Sequence, residues 1–221
     1  MNRTSSIVGV FLALAFVVGP ALSQAQAADD DGFQELFNGK DLTGWQNASG
    51  GEPGGGWVVE DGAMVRKDRA GDVWTKARFG DFVLDLEFKT QGNSGVFIRT
   101  DNPRDCVQTG IEIQVDRPGS TPNRHSCGAL YDLVAPSKEM SQADQWNRMV
   151  VTAKDNKITV AINGEPIAEM DLDLWTTPRQ NPDGSGNKFG RALKDFKREG
   201  HVGLQDHGAA VSYRNIKIKP Q

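Results

Sequence analysis

The sequence predicts an all-β fold, a two-sheet antiparallel sandwich of jelly-roll type. Short runs alternate apolar and polar residues with period two, Gly, Asn or Asp separates them, and helical periodicity is nearly absent. A lone open sheet could not bury both faces of so many strands, so two sheets must pack together.

The first segment stands outside that fold. Residues 1–27 hold one basic residue (Arg3), an apolar core from Ile7 to Val18, and a small-x-small ending at Ala25–Gln26–Ala27. This predicts a secretory signal peptide, because the apolar run is too short to span a bilayer and no stop-transfer pattern follows. No cysteine lies near the cleavage point, which argues against a lipid anchor. Residues 28–221 then form a single β-sandwich domain of 194 residues, periplasmic or extracellular in a bacterium. Losing Arg3 moves the net charge from −4 to −5. An acidic, unclustered balance argues against nucleic acid or anionic lipid as the main partner.

The strand candidates follow in order: "GWVVEDGAMV", "FVLDLEFKT", "SGVFIRT", "GIEIQV", "GALYDLV", "RMVVTAKDNKITVAINGEPIAEM", "HVGLQ" and "VSYRNIKIKP". "KDN" at Lys154–Asn156 reads as one hairpin turn, and Asn163–Gly164 as a tighter one. Arg191–Glu199, "RALKDFKRE", is the one candidate for a short helix. Two segments resist regular structure. Ala48–Trp57 is Gly-rich but lacks the Lys-Ser/Thr ending of a phosphate loop, so it reads as a plain connection. Trp175–Gly200 is longer than ordinary connections, the length of a functional lid or a disordered excursion. Cys106 and Cys127 flank "GIEIQVD" and, as an even pair in an oxidising compartment, read as a disulfide.

Alternation also assigns faces. Val96 and Ile98 point to the core and leave Phe97 and Arg99 opposite; Ile111, Ile113 and Val115 leave Glu112, Gln114 and Asp116; Val202 and Leu204 leave Gln205 and His207. One Arg, one Glu, two Gln and one His suit hydroxyls and carbonyls better than an ordinary solvated face does. Unrelated solvated faces are the competing reading. Tyr131 is either a further wall residue or an aromatic filling the sandwich. A two-carboxylate glycosidase on this strand is disfavoured. Glu112 and Asp116 stand roughly 13 Å apart along a strand, against about 5–9.5 Å for paired acids, and the nearer position is Gln114.

"ELFNGKDLTGW", "NSGVFIRT", "GIEIQVD", "WNRMVVTAKDNKITVAINGE" and "GLQDHGAAVSYRNIKIKP" together resemble the 3-keto-disaccharide hydrolase family, from about Phe33 to Pro220. The resemblance implies a concanavalin A-like lectin/glucanase type of sandwich and a carbohydrate partner. It also implies cleavage of 3-keto-glycosides, by hydrolysis or by 1,2-elimination with hydration. A C3 ketone acidifies the C2 hydrogen, so one base and a few donors suffice. Glu112 or His207 is then the base, Arg99 and Gln205 are oxyanion and hydroxyl ligands, and Gln114, Tyr131 and Phe97 hold the sugar. The chemistry leaves room for a divalent metal on Glu112 and His207, acting as Lewis acid, although no compact ligand motif calls for one. A non-catalytic lectin-like module is the alternative, with Phe97 and tryptophans as platforms, although Trp45, Trp57 and Trp146 read as structural. Cys106, Cys127 and the loop after Trp175 have no counterpart in the family pattern.

Overall fold

The computed structural model describes Met1 and residues 32–221, so the leader expected over residues 1–27 lies outside the described residues. The first half of the sandwich contains β1 (Gln34–Glu35), β2 (Trp45–Asn47), β3 (Trp57–Glu60), β4 (Ala63–Arg66), β5 (Val73–Thr75), β6 (Phe82–Thr90) and β7 (Ser94–Thr100). A one-turn helix α1 (Cys106–Thr109) leads into β8 (Ile111–Val115). Then come β9 (Asn147–Lys154), β10 (Lys157–Ile162), β11 (Glu165–Asp171), β12 (His201–Leu204) and β13 (Val211–Pro220).

These strands form two antiparallel sheets. The larger runs β11-β10-β9-β6-β13-β4-β3, with β1 also paired to β13, and the smaller runs β2-β5-β12-β7-β8. The hairpin turns fall where the turn residues place them. Asp155 has φ +50°, and Asn163 and Gly164 have φ +52° and +86°, the left-handed pair that a tight β9–β10 and β10–β11 connection needs. Between the sheets, Leu84, Leu86, Met149, Val151 and Ile218 of the larger meet Val96, Ile98, Ile111, Ile113 and Leu204 of the smaller, all buried. Residues 191–199 do not form a helix beyond a 3-10 turn at Leu193–Asp195. Ala192, Leu193 and Phe196 are buried there, and the Arg198 guanidinium donates to the Phe196 carbonyl, so tertiary contacts hold the segment as an irregular strap.

The expected disulfide is absent: both cysteines are free thiols. Cys106 sits in α1, ahead of β8, with its Sγ 3.9 Å from an oxygen of Asp72. Cys127 is buried beyond the other end of β8, where the next residue, Gly128, donates its N–H to the Gln114 carbonyl. Cys106 lies against Asp72 on the outer face of the small sheet, whereas Cys127 packs in the core between the sheets, so the two thiols do not meet. Burial pushes both thiols up to about 11, as for inert structural cysteines. Thiol titration of the unreduced, denatured protein is expected to count two thiols, with no change in Tm on adding reductant; a count of zero would restore the bridge.

Candidate active site

Every residue of β7 and β8 is buried, polar ones included, so the outer face of the five-stranded sheet is not a solvated surface. Strand register lines that face up. Gln46 pairs with Trp74, Trp74 with Gly203, Gly203 with Phe97, and Phe97 with Glu112, one row across all five strands. Beside it, Gln205 donates its N–H to the Gly95 carbonyl, and Gly95 pairs with Gln114. The two glycines in the middle strands have a packing reason. A Cβ on Gly203 would stand 2.3 Å from the Trp74 ring, and one on Gly95 would stand 2.7 Å from Glu112 Oε1. Trp74 and Glu112 therefore lie down over bare backbone, and the glycines make the hollow that takes them.

Glu112 is the centre of this floor, 5% exposed. Gln205 Nε2 donates to its Oε1 at 3.1 Å, and Lys188 Nζ to its Oε2 at 3.2 Å. A buried carboxylate requires such pairing. Lys188 comes from the long 175–200 loop, which is ordered and folds back over the sheet. Gln108 of α1 clasps it, donating to the Lys188 carbonyl and accepting from the Gly190 N–H, while Asp132 accepts from the Lys188 N–H at 2.6 Å. The ammonium also lies 4.2 Å from the Tyr131 ring centre, and the Tyr131 ring stacks on His125 at 4.6 Å. Burial, and then the charge of Glu112, raises the Tyr131 phenol above its ordinary range, so it stays a neutral donor. A shallow, open depression lined by Asn123, Arg124, His125, Asp132 and Ala135 lies beside this wall.

A second acidic group borders the same floor. Asp72, immediately before β5, shares the outer face with Trp74 because Val73 between them is core. Its Oδ1 accepts the Asp206 N–H at 2.9 Å, and burial raises its pKa. Among the described residues, four buried side-chain polar atoms lack a hydrogen-bond partner, and Trp74 Nε1, Gln114 Oε1 and Gln205 Oε1 all belong to this face. Buried polar groups are rarely left so. One donor and two acceptors waiting on one floor suit a hydroxyl-rich ligand.

Of the residues expected from the sequence, the structure brings Glu112, Gln205, Gln114 and Tyr131 to this floor and its wall. Three others take different parts. Arg99 does not face Glu112. Between the pairs Phe97–Gly203 and Thr100–His201, β7 has two residues and β12 one, a β-bulge that ends the alternation. Arg99, with φ +50°, turns away and is 2% exposed, donating to Gly80 O, Asp155 O and Asp81 Oδ1 at 2.7–2.9 Å. It ties the small sheet to turns of the large one. His207 is exposed in the β12–β13 loop, without a side-chain hydrogen bond among the described residues. Phe97 is 1% exposed, packed against Trp74 at 5.4 Å between ring centres, so it supports the floor and offers no stacking face. A metal shared by Glu112 and His207 does not fit. An ammonium and an amide take the Glu112 oxygens, and no described group of three or more His, Cys, Asp and Glu is disposed to hold an ion. Sequence reasoning missed Lys188, Asp72 and Trp74. The alternation of Asp72 and Trp74 around Val73 was a legible signal; nothing local distinguishes Lys188 within its loop.

Comparison with known proteins adds to this picture. A family model described as a 3-keto-alpha-glucoside-1,2-lyase-like domain matches residues 32–219. A 3-keto-disaccharide hydrolase of Bacteroides thetaiotaomicron is 26% identical over 86% of this chain and 79% of its own length. The crystal structure of a candidate glycosyl hydrolase of Parabacteroides distasonis superposes with TM-score 0.76 at 29% identity, over 86% of this chain and 99% of that one. A galectin-like protein of Bacillus subtilis shares the fold, with TM-score 0.53 at 16% identity over 85% of this chain and 94% of that one.

Proposed function

Because the chain belongs to the 3-keto-alpha-glucoside-1,2-lyase-like family, we propose that it is an exported carbohydrate-active enzyme that cleaves 3-keto-glycosides, with Glu112 as its base. The observation that carries this reading is the single buried carboxylate held between an ammonium and an amide, on a floor with unpartnered donors and acceptors.

The chemistry follows from that arrangement. Glu112 removes the proton on C2, which the C3 ketone has made acidic, and the electron pair moves to the C3 oxygen as an enolate. As Glu112 becomes neutral, the Lys188 ammonium loses its counter-charge and is drawn to the new oxyanion, with the Gln205 amide as a second donor. Donors already in place, in a site shielded from water, stabilise that charge without reorganising. The enolate then re-forms the ketone and expels the C1 substituent. Water adds its oxygen at C1, its released proton balances the one taken up by the expelled oxygen, and Glu112 returns its proton to C2, completing a net hydrolysis. The unpartnered Gln114 and Gln205 oxygens and the Trp74 N–H suit the remaining sugar hydroxyls.

The test is incubation of the protein with 4-nitrophenyl 3-keto-α-glucoside and with the unoxidised glucoside. Nitrophenol release from the ketone alone is expected. Binding of the ketone without release, unchanged in Glu112→Gln, would instead make the chain a lectin-like module.

A further inference from the structure

We propose that Asp72 is the acid that protonates the departing group at C1, an assignment that rests on Glu112 being the base. Asp72 and Glu112 approach one floor from opposite sides. Asp72 leads into β5 and Glu112 lies on β8, with β12 and β7 between them. Three strand spacings are about 14 Å, and the Glu112 side chain leans off β8 over the bare Gly95 of β7, on the side of Asp72. In this assignment the sugar ring lies between the two carboxyls. Unpartnered, fully buried polar groups flank both ends: Trp74 Nε1, two residues from Asp72, and Gln114 Oε1, two residues from Glu112.

The local chemistry differs at the two carboxyls. Asp72 Oδ1 accepts the Asp206 N–H, whereas among the described residues Oδ2 has only the Cys106 thiol, a weak donor at 3.9 Å. Burial raises the Asp72 pKa and outweighs the Asp206 N–H and the thiol, which pull the other way, and the charges of Asp206 and Glu112 add to burial. The neighbouring Asp206 goes the other way. Burial is outweighed there by the N–H groups of Ala70, Gly71 and Gly208 and by Arg66 at 2.6 Å, which hold it below the ordinary carboxylate range. The thiol of Cys106 stays protonated, so it adds no charge. Glu112 is paired with an ammonium at 3.2 Å and Asp72 is not, which suits the first to take a proton and the second to give one.

The step balances. The C1–O bond breaks, its electron pair stays on the leaving oxygen, and that oxygen takes the Asp72 proton and departs as an alcohol. Asp72, now a carboxylate, removes a proton from the water that adds to C1 and is ready again. Such an acid matters only when the leaving oxygen is strongly basic.

The experiment compares a 3-keto-disaccharide, whose leaving group is a sugar alkoxide, with 4-nitrophenyl 3-keto-α-glucoside. Asp72→Asn keeps the acceptor for the Asp206 N–H. It is expected to lower kcat on the disaccharide about 100-fold or more, with less than about a tenfold change on the nitrophenyl substrate. Equal losses on both, or none on the disaccharide, overturn the assignment while leaving Glu112 as base. A wild-type protein inactive on both ketones sinks the functional reading, and Asp72 with it. Should the variant not fold, a series of aryl 3-keto-glucosides with wild-type protein decides: kcat nearly independent of leaving-group basicity supports the acid, and a steep fall with basicity removes it.

Discussion

Glu112→Gln is expected to lower kcat on a 3-keto-glycoside by about 10²–10⁴-fold, the range of a lost general base. The substitution preserves shape, and an amide still receives the Gln205 N–H and lies over Gly95. What it removes is the negative charge that both takes the C2 proton and pairs with Lys188 at 3.2 Å. Because the loss falls on the chemical step, kcat drops with little change in KM. The measurement is steady-state kinetics with a thermal melt alongside. A folded variant with kcat within about tenfold of wild type would show that the proton goes elsewhere.

Arg99→Ala carries the largest expected effect on stability. The guanidinium is 2% exposed and holds two carbonyls, Gly80 and Asp155, together with Asp81 Oδ1 at 2.7 Å. Removing it takes the donor from two part-buried carbonyls and from the Asp81 carboxylate and empties a buried side-chain site, at about 2–4 kcal/mol. That is roughly a 10 °C fall in Tm for a domain of this size. A lysine has no planar fork with which to reach three acceptors, so Arg99→Lys should recover only part of the loss. The folded fraction of either variant should turn over substrate at the wild-type rate. A variant that melts normally but is inactive would return Arg99 to the catalytic role that strand alternation suggested.

Those two residues mark how far the sequence can be read. Alternation in "GIEIQVD" and "HVGLQ" placed Glu112, Gln114 and Gln205 on one outward row, and the structure joins Glu112 to Gln205 at 3.1 Å. The same rule misplaced Arg99, because one extra residue in β7 reverses the faces beyond it and nothing local announces a bulge. It misplaced His207 as well, since β12 ends at Leu204 and a loop has no alternating faces. The cysteine pairing failed for another reason: even count and compartment say that two thiols could meet, but the fold sets Cys106 on the outer face and Cys127 in the core.

By itself, then, the sequence determined the sandwich, its hairpins, the family resemblance and the polar row, because period-two patterning and turn chemistry are local. The tertiary structure alone decided that the polar row is buried and that Lys188 neutralises it from a loop 76 residues away in the chain. Those are contacts between strands and loops distant in sequence. Their geometry comes from sheet order, a bulge and two glycines where backbone must stay bare, none of which a residue pattern on a single strand encodes.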